Sequence, residues 1–158
     1  MRRGVPGIRV PAIIRWPGRI PAGVVTEQVG ITMDLSATIL AAAGAAVPAD
    51  AKLEGLNLLP LLTPGAGPLS RTLFWRVVNP NMNQRTVRDG DWKLFIDSPG
   101  RAMLYDLRND VGERNDVSAS NTVVVRRLAQ LLQAWEKDVD ADGKALANAA
   151  AKPVPERK

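Results

Sequence analysis

The chain contains no cysteine and no histidine. The first absence excludes disulfides, thiolate metal sites and a thiol nucleophile. The second excludes an imidazole general base and every catalytic triad built on one. Aromatic residues are scarce, with one Tyr, two Phe and four Trp in 158 residues, which leaves little surface for stacking nucleic-acid bases. No apolar run approaches the roughly 20 residues that cross a bilayer, because proline and charge interrupt every candidate. Met1-Arg2-Arg3 puts positive charge first, as an export signal does. Pro6, Arg9, Pro11 and Arg15 then break the apolar segment that should follow, so no signal peptide is expected in this sequence.

What is present suffices for a folded domain, since 46% of the residues are hydrophobic and the length is that of one ordinary domain. The net charge of +5 comes from Arg and Lys scattered along the chain without a long run. It is compatible with an anionic ligand or with solubility alone.

Residues 9–15 are rich in Val and Ile and are stopped by Trp16-Pro17-Gly18, which predicts a short buried strand, at an edge because of Pro11. Ile31, Leu35, Ile39 and Ala42/Ala43 recur at helical spacing, predicting a helix of about three turns, with Ala41 to Ala46 as a smooth face that can sit close against a sheet. Thr32 is the expected cap, Asp34 suits the positive end of the dipole, and Gly44 closes the helix. Residues 48–68 read as loop, with a boundary near Pro64 to Pro68. Four strands follow, Leu73 to Val78, Arg85 to Arg88, Trp92 to Ile96 and Met103 to Leu107, in an antiparallel meander. Asp89-Gly90 makes the tight turn between the second and third. A last helix starts near Ser120, burying Val124, Leu128, Leu131, Trp135 and Val139 while Arg126, Arg127, Gln130, Gln133 and Lys137 face water. The fold class expected is α+β, a four-stranded antiparallel sheet covered by one long helix. Residues 144–158 read as a disordered tail.

Five ordered segments carry a family resemblance. They are Gly7 to Gly23 (GIRVPAIIRWPGRIPAG), Ile31 to Thr38 (ITMDLSAT), Leu53 to Leu62 (LEGLNLLPLL), Gln84 to Leu94 (QRTVRDGDWKL) and Leu104 to Asp116 (LYDLRNDVGERND). In this order they resemble the late part of a sulfatase of the arylsulfatase-like kind, over about Gly7 to Val139. Ala37 and Val111 stand where the family usually has Pro. The resemblance implies an alkaline-phosphatase-like fold. Residues 1–63 would come from its α/β domain, 64–143 would form its C-terminal sheet-and-helix subdomain, and 144–158 would be the tail.

The family's chemistry uses a formylglycine made from Cys or Ser in a Cys/Ser-x-Pro-Ser-Arg motif, a divalent cation (calcium) held by Asp and Asn, and Lys and His around the sulfate. None of these maps onto a residue here, so no catalytic residue, metal ligand or bound cofactor is assigned to this chain. Sulfate-ester hydrolysis needs a nucleophile, charge compensation and an acid for the leaving group. The chain alone is therefore expected to be inactive, a C-terminal piece of a sulfuric ester hydrolase. The alternative is a noncatalytic module that docks on a partner chain or self-associates. A sulfated substrate would require the catalytic half; nucleic acid and membrane are not expected partners. Family members are often periplasmic or secreted.

Four further features carry sharper readings. Trp75 and Arg76, in Leu73-Phe74-Trp75-Arg76, are candidate substrate-binding residues because the guanidinium fork suits sulfate oxygens. The plainer alternative puts Phe74 in the core and both Trp75 and Arg76 on the opposite face of the sheet. Asp138, Asp140, Asp142 and Gly143 spell the first half of a calcium loop, but Ala149 stands where its bidentate carboxylate belongs and Ala145 where Ile or Val is usual, so the favoured reading is an acidic helix C-terminus running into a polar tail. Arg9 is read as paired with a carboxylate at a strand entrance. Lys93 is read as a solvated strand residue shielding an edge.

Overall fold

A computed structural model describes residues 10–48, 51 and 53–150, with side chains to residue 144. Arg9 and residues 151–158 lie outside the described residues. The described chain falls into two compact units, Val10–Ser70 and residues 71–150.

The second unit is the expected meander. Strands β1 (Thr72–Asn79), β2 (Met82–Asp89), β3 (Trp92–Ile96) and β4 (Ala102–Asp106) pair antiparallel in sequence order. Asp89 pairs with Trp92 across the β2–β3 turn, and Gly90 supplies the positive φ of 59° that this two-residue turn requires. Helix α2 (Thr122–Ala150) covers one face. Val87, Leu94 and Leu104 of that face meet Leu128 and Leu132, all five fully or almost fully buried, with Val124, Leu131 and Trp135 packed against them. Arg126, Arg127, Gln130, Gln133 and Lys137 are exposed, as the helical period requires. Leu132, which the predicted stripe omits, is buried beside Leu128. The apolar face is broader than a single line of residues three or four apart. On the opposite face Phe95, Tyr105 and Leu107 form a smaller buried cluster.

Helix α2 runs past Lys144 to Ala150, where a tail was expected. Ala141, Ala145, Ala147, Ala149 and Ala150 have the highest helical propensity, so the helix continues beyond the end of its packed face.

The first unit departs more from the sequence reading. Residues 10–15 form no strand and lie exposed. Pro11 removes a backbone donor, and within this unit no described strand offers a ladder partner. The chain then turns at Trp16, whose carbonyl accepts the N–H groups of Arg19 and Ile20. Helix α1 (Thr32–Ala42) forms, with Ile31 in the capping position and Thr32 inside the first turn. The cap is Asp34, whose Oδ2 accepts the Ile31 N–H at 2.8 Å. Gly44 ends the helix with φ 64°, as read.

The apolar residues at helical spacing are not what α1 buries. Leu35 and Ile39 are exposed, whereas Asp34, Ala37 and Thr38 are buried. That polar side grips the following loop. Asp34 Oδ1 accepts the Leu56 N–H at 2.9 Å, and Thr38 Oγ1 accepts the Leu58 N–H at 3.0 Å. Gly55 permits the approach, because a Cβ there would lie 2.1 Å from the Met33 carbonyl oxygen. Gln28 closes the unit by accepting the Leu69 N–H at 2.8 Å.

Candidate functional site

Strand alternation decides what β1 can offer. Phe74 and Arg76 share the face covered by α2, and Trp75 takes the other. Phe74 stacks on Trp135 with ring centroids 5.1 Å apart and planes within 5°. The Arg76 guanidinium lies 5.9 Å from the Trp135 ring centroid and donates to Asp140 Oδ1 at 2.7 Å. This bond holds the Asp140 carboxyl below, and the Arg76 guanidinium above, their ordinary ranges. Trp75 and Arg76 therefore do not share a face, because adjacent residues of a strand point oppositely. Arg76 meets a carboxylate of α2.

Beside this brace lies an open groove of about 370 Å³, with Ile96, Ala129 and Leu132 as its apolar lining and Arg85, Arg126 and Glu136 among its charges. Arg85 Nη1 is 3.7 Å from Glu136. The groove holds charged and amide groups but no nucleophile paired with a base, so it offers recognition chemistry and no hydrolytic chemistry. In the other unit a groove of about 390 Å³ is lined by Trp16, Arg19, Ile20, Ala41, Ala42, Gly44 and Leu59.

The half calcium loop does not form a loop. Asp138, Asp140 and Asp142 lie on α2, where residues two apart point to well-separated directions and cannot converge on one ion. Asp140 is taken by Arg76. Among the described residues no group of three or more carboxylates gathers as a metal site. The donors present do not fit the divalent cation that the resemblance implies.

Lys93 overturns its reading most sharply. It lies on β3, inside the sheet and not at its edge, and its side chain is only 1% exposed. Its ammonium donates to both oxygens of Glu113, at 2.6 and 2.7 Å, and Glu113 is 8% exposed. Burial pushes the Lys93 pKa down, while the hydrogen bond and charge of Glu113 push it back up. Glu113 is the described non-glycine residue with positive φ, at 52°. Sequence reasoning missed this pair because charge on a strand ordinarily faces water. The available signal was that both residues sit inside matched segments, Lys93 in Asp91-Trp92-Lys93-Leu94 and Glu113 in Asp110-Val111-Gly112-Glu113.

Comparison with known proteins gives these features a context. Residues 5–138 match the family described as N-sulphoglucosamine sulphohydrolase, C-terminal. The chain is similar to the N-acetylgalactosamine-6-sulfatase of Homo sapiens, 51% identical over 69 residues, covering 44% of this chain and 13% of that protein. It is similar to the arylsulfatase A of Homo sapiens, 32% identical over 164 residues, covering 85% of this chain and 32% of that protein. In structure it resembles Ps i-CgsB, with TM-score 0.68 and 26% identity over 76% of this chain and 27% of that one. The matches thus span about a tenth to a third of the relatives' own lengths.

Proposed function

Because the chain belongs to the sulfatase family, through the C-terminal region of that fold, we propose that it is the noncatalytic C-terminal part of a sulfuric ester hydrolase, inactive alone and completed by a catalytic α/β domain. The observation carrying this reading is the contrast between a closed sheet-and-helix core and a first unit whose Ile13, Val25 and Ile39 are 96%, 90% and 65% exposed, in a chain without cysteine or histidine. Large aliphatic side chains so exposed gain by being covered. By analogy with the N-acetylgalactosamine-6-sulfatase it resembles, the substrate class of the completed enzyme is a sulfated amino sugar. Trp75, on the sheet face away from α2, is the member of the Trp75/Arg76 pair left to meet such a substrate. Arg76 serves α2.

Turnover of a generic aryl sulfate by the purified chain tests the first half of the proposal. No hydrolysis above buffer is expected; turnover that persists after repurification and is lost on substitution of a residue in this chain would overturn it. Mixing or co-expression with a sulfatase segment that carries the Cys/Ser-x-Pro-Ser-Arg motif tests the second half, through formation of a stable complex. The exposed side chains also favour a second reading, self-association as a noncatalytic module. Sedimentation distinguishes them, since self-association gives a concentration-dependent mass in the chain alone.

A further inference from the structure

We propose that the Lys93–Glu113 pair is a buried clip that fixes the segment 107–117 in one conformation against the sheet, specifying its structure more than adding stability. The inference rests on the sheet-and-helix unit alone and does not depend on the sulfatase reading.

The segment leaves β4 and returns to α2, and both of its ends are tied by backbone bonds. The Leu107 N–H donates to the Asp91 carbonyl at 2.7 Å, and the Val117 N–H donates to the Leu104 carbonyl at 2.9 Å. Asp116 Oδ1 accepts the N–H groups of both Leu104 and Ser118, at 3.1 and 2.9 Å, linking β4 to the turn before α2. Inside the segment, Asp110 Oδ2 accepts the N–H groups of Arg114 and Asn115, at 2.8 and 2.7 Å. Glu113 lies at the middle of this wrap. There its carboxylate is bonded through both oxygens to a lysine of β3 that is shielded from water. Its backbone adopts the left-handed region, which is strained for a residue with a side chain. A conformation of that kind persists where something else dictates it, and the bidentate bond to Lys93 does so. A pair of buried charges is a poor source of net stability, because desolvation offsets much of the attraction. Its directionality is what an apolar contact lacks. Met against Met can slide, whereas an ammonium held between two carboxylate oxygens has one geometry.

Three variants of the full chain test the clip, read by urea denaturation and by amide hydrogen exchange at Arg114, Asn115 and Val117. Lys93→Met alone strands a buried carboxylate and is expected to lower the denaturation midpoint most. Lys93→Met combined with Glu113→Met is expected to recover most of that loss, yet to exchange those three amides about tenfold faster than the parent. Glu113→Gly, which relieves the left-handed backbone but removes the carboxylate, is expected to exchange as fast as the double variant. Parent-like protection in either the double variant or Glu113→Gly would overturn the proposal, as would a Lys93→Met chain as stable as the parent. Should Lys93→Met fail to fold, the other two variants decide.

Discussion

Residues 71–150 and residues 10–70 handle their aliphatic side chains in opposite ways. The former hide Val87, Leu94 and Leu104 completely under Leu128 and Leu132, while the latter leave Ile13, Val25, Leu35 and Ile39 in water. The first unit is held instead by hydrogen bonds that two buried polar side chains, Asp34 and Thr38, accept from the backbone N–H groups of residues 31, 56 and 58. A sheet with a covering helix closes its own core. A single helix and its loops cannot, and their apolar groups remain available to a partner.

The sharpest way to break this comparison is to cut the same kind of side chain in each unit. Leu94→Ala, in the closed core, is expected to cost about 2–5 kcal/mol in chemical denaturation. The next largest effects fall on the polar frame of the first unit. Gly55→Ala, which drives a methyl into the Met33 carbonyl, and Asp34→Ala, which orphans two backbone N–H groups, are each expected to cost about 1–3 kcal/mol. These losses should register in amide exchange of residues 31–58 and leave β1–β4 protected.

Acid acts on the second unit through three carboxyls. Asp89 is held below the usual carboxylate range by its hydrogen bond from Arg127. In Asp97 and Asp116 burial raises the pKa, and hydrogen bonds, from Arg101 and from Ser118 and Leu104, more than offset it. A carboxyl with a depressed folded pKa stabilises the fold above its unfolded value near pH 4 and loses that contribution as pH falls through the folded value. The second unit is therefore expected to weaken below about pH 4, which a circular-dichroism pH titration checks. Lys93 follows the same slope at higher pH, but its contribution is unfavourable. Its lowered folded pKa makes the unfolded chain bind the proton more tightly, so its unfavourable share shrinks as pH rises towards 10.5.

The smallest effect is expected at the surface of the first unit, where Ile39→Ser should change stability by no more than about 0.5 kcal/mol. It should nevertheless lower any self-association seen by sedimentation. A large stability loss from this substitution would show that Ile39 is buried in solution and would erase the contrast between the units.

The parts of the fold legible in the sequence were those whose signals are local. Asp89-Gly90 marked its turn, Gly44 its helix end, and the spacing of Val124, Leu128 and Trp135 the buried side of α2. That residues 10–15 are exposed coil was not legible, because Val and Ile report a preference for being covered and not whether a cover exists. The spacing of Leu35 and Ile39 marked the helix but not their exposure, for the same reason. Asp138-x-Asp140-x-Asp142-Gly143 spells half of a calcium loop, yet the neighbouring alanines and the Arg76–Asp140 contact keep it helical.

By itself the sequence determined the family and excluded much chemistry: five ordered motifs, apolar residues at helical spacing and the lack of cysteine and histidine require no coordinates to read. Only the tertiary structure decided which side chains share a face and which charges are dry. Period-two alternation separates Trp75 from Arg76 but names no neighbour for either, and Lys93 stands twenty residues before the carboxylate that neutralises it. Such a contact is set when a loop folds back across a sheet, and no local pattern along the chain encodes that distance.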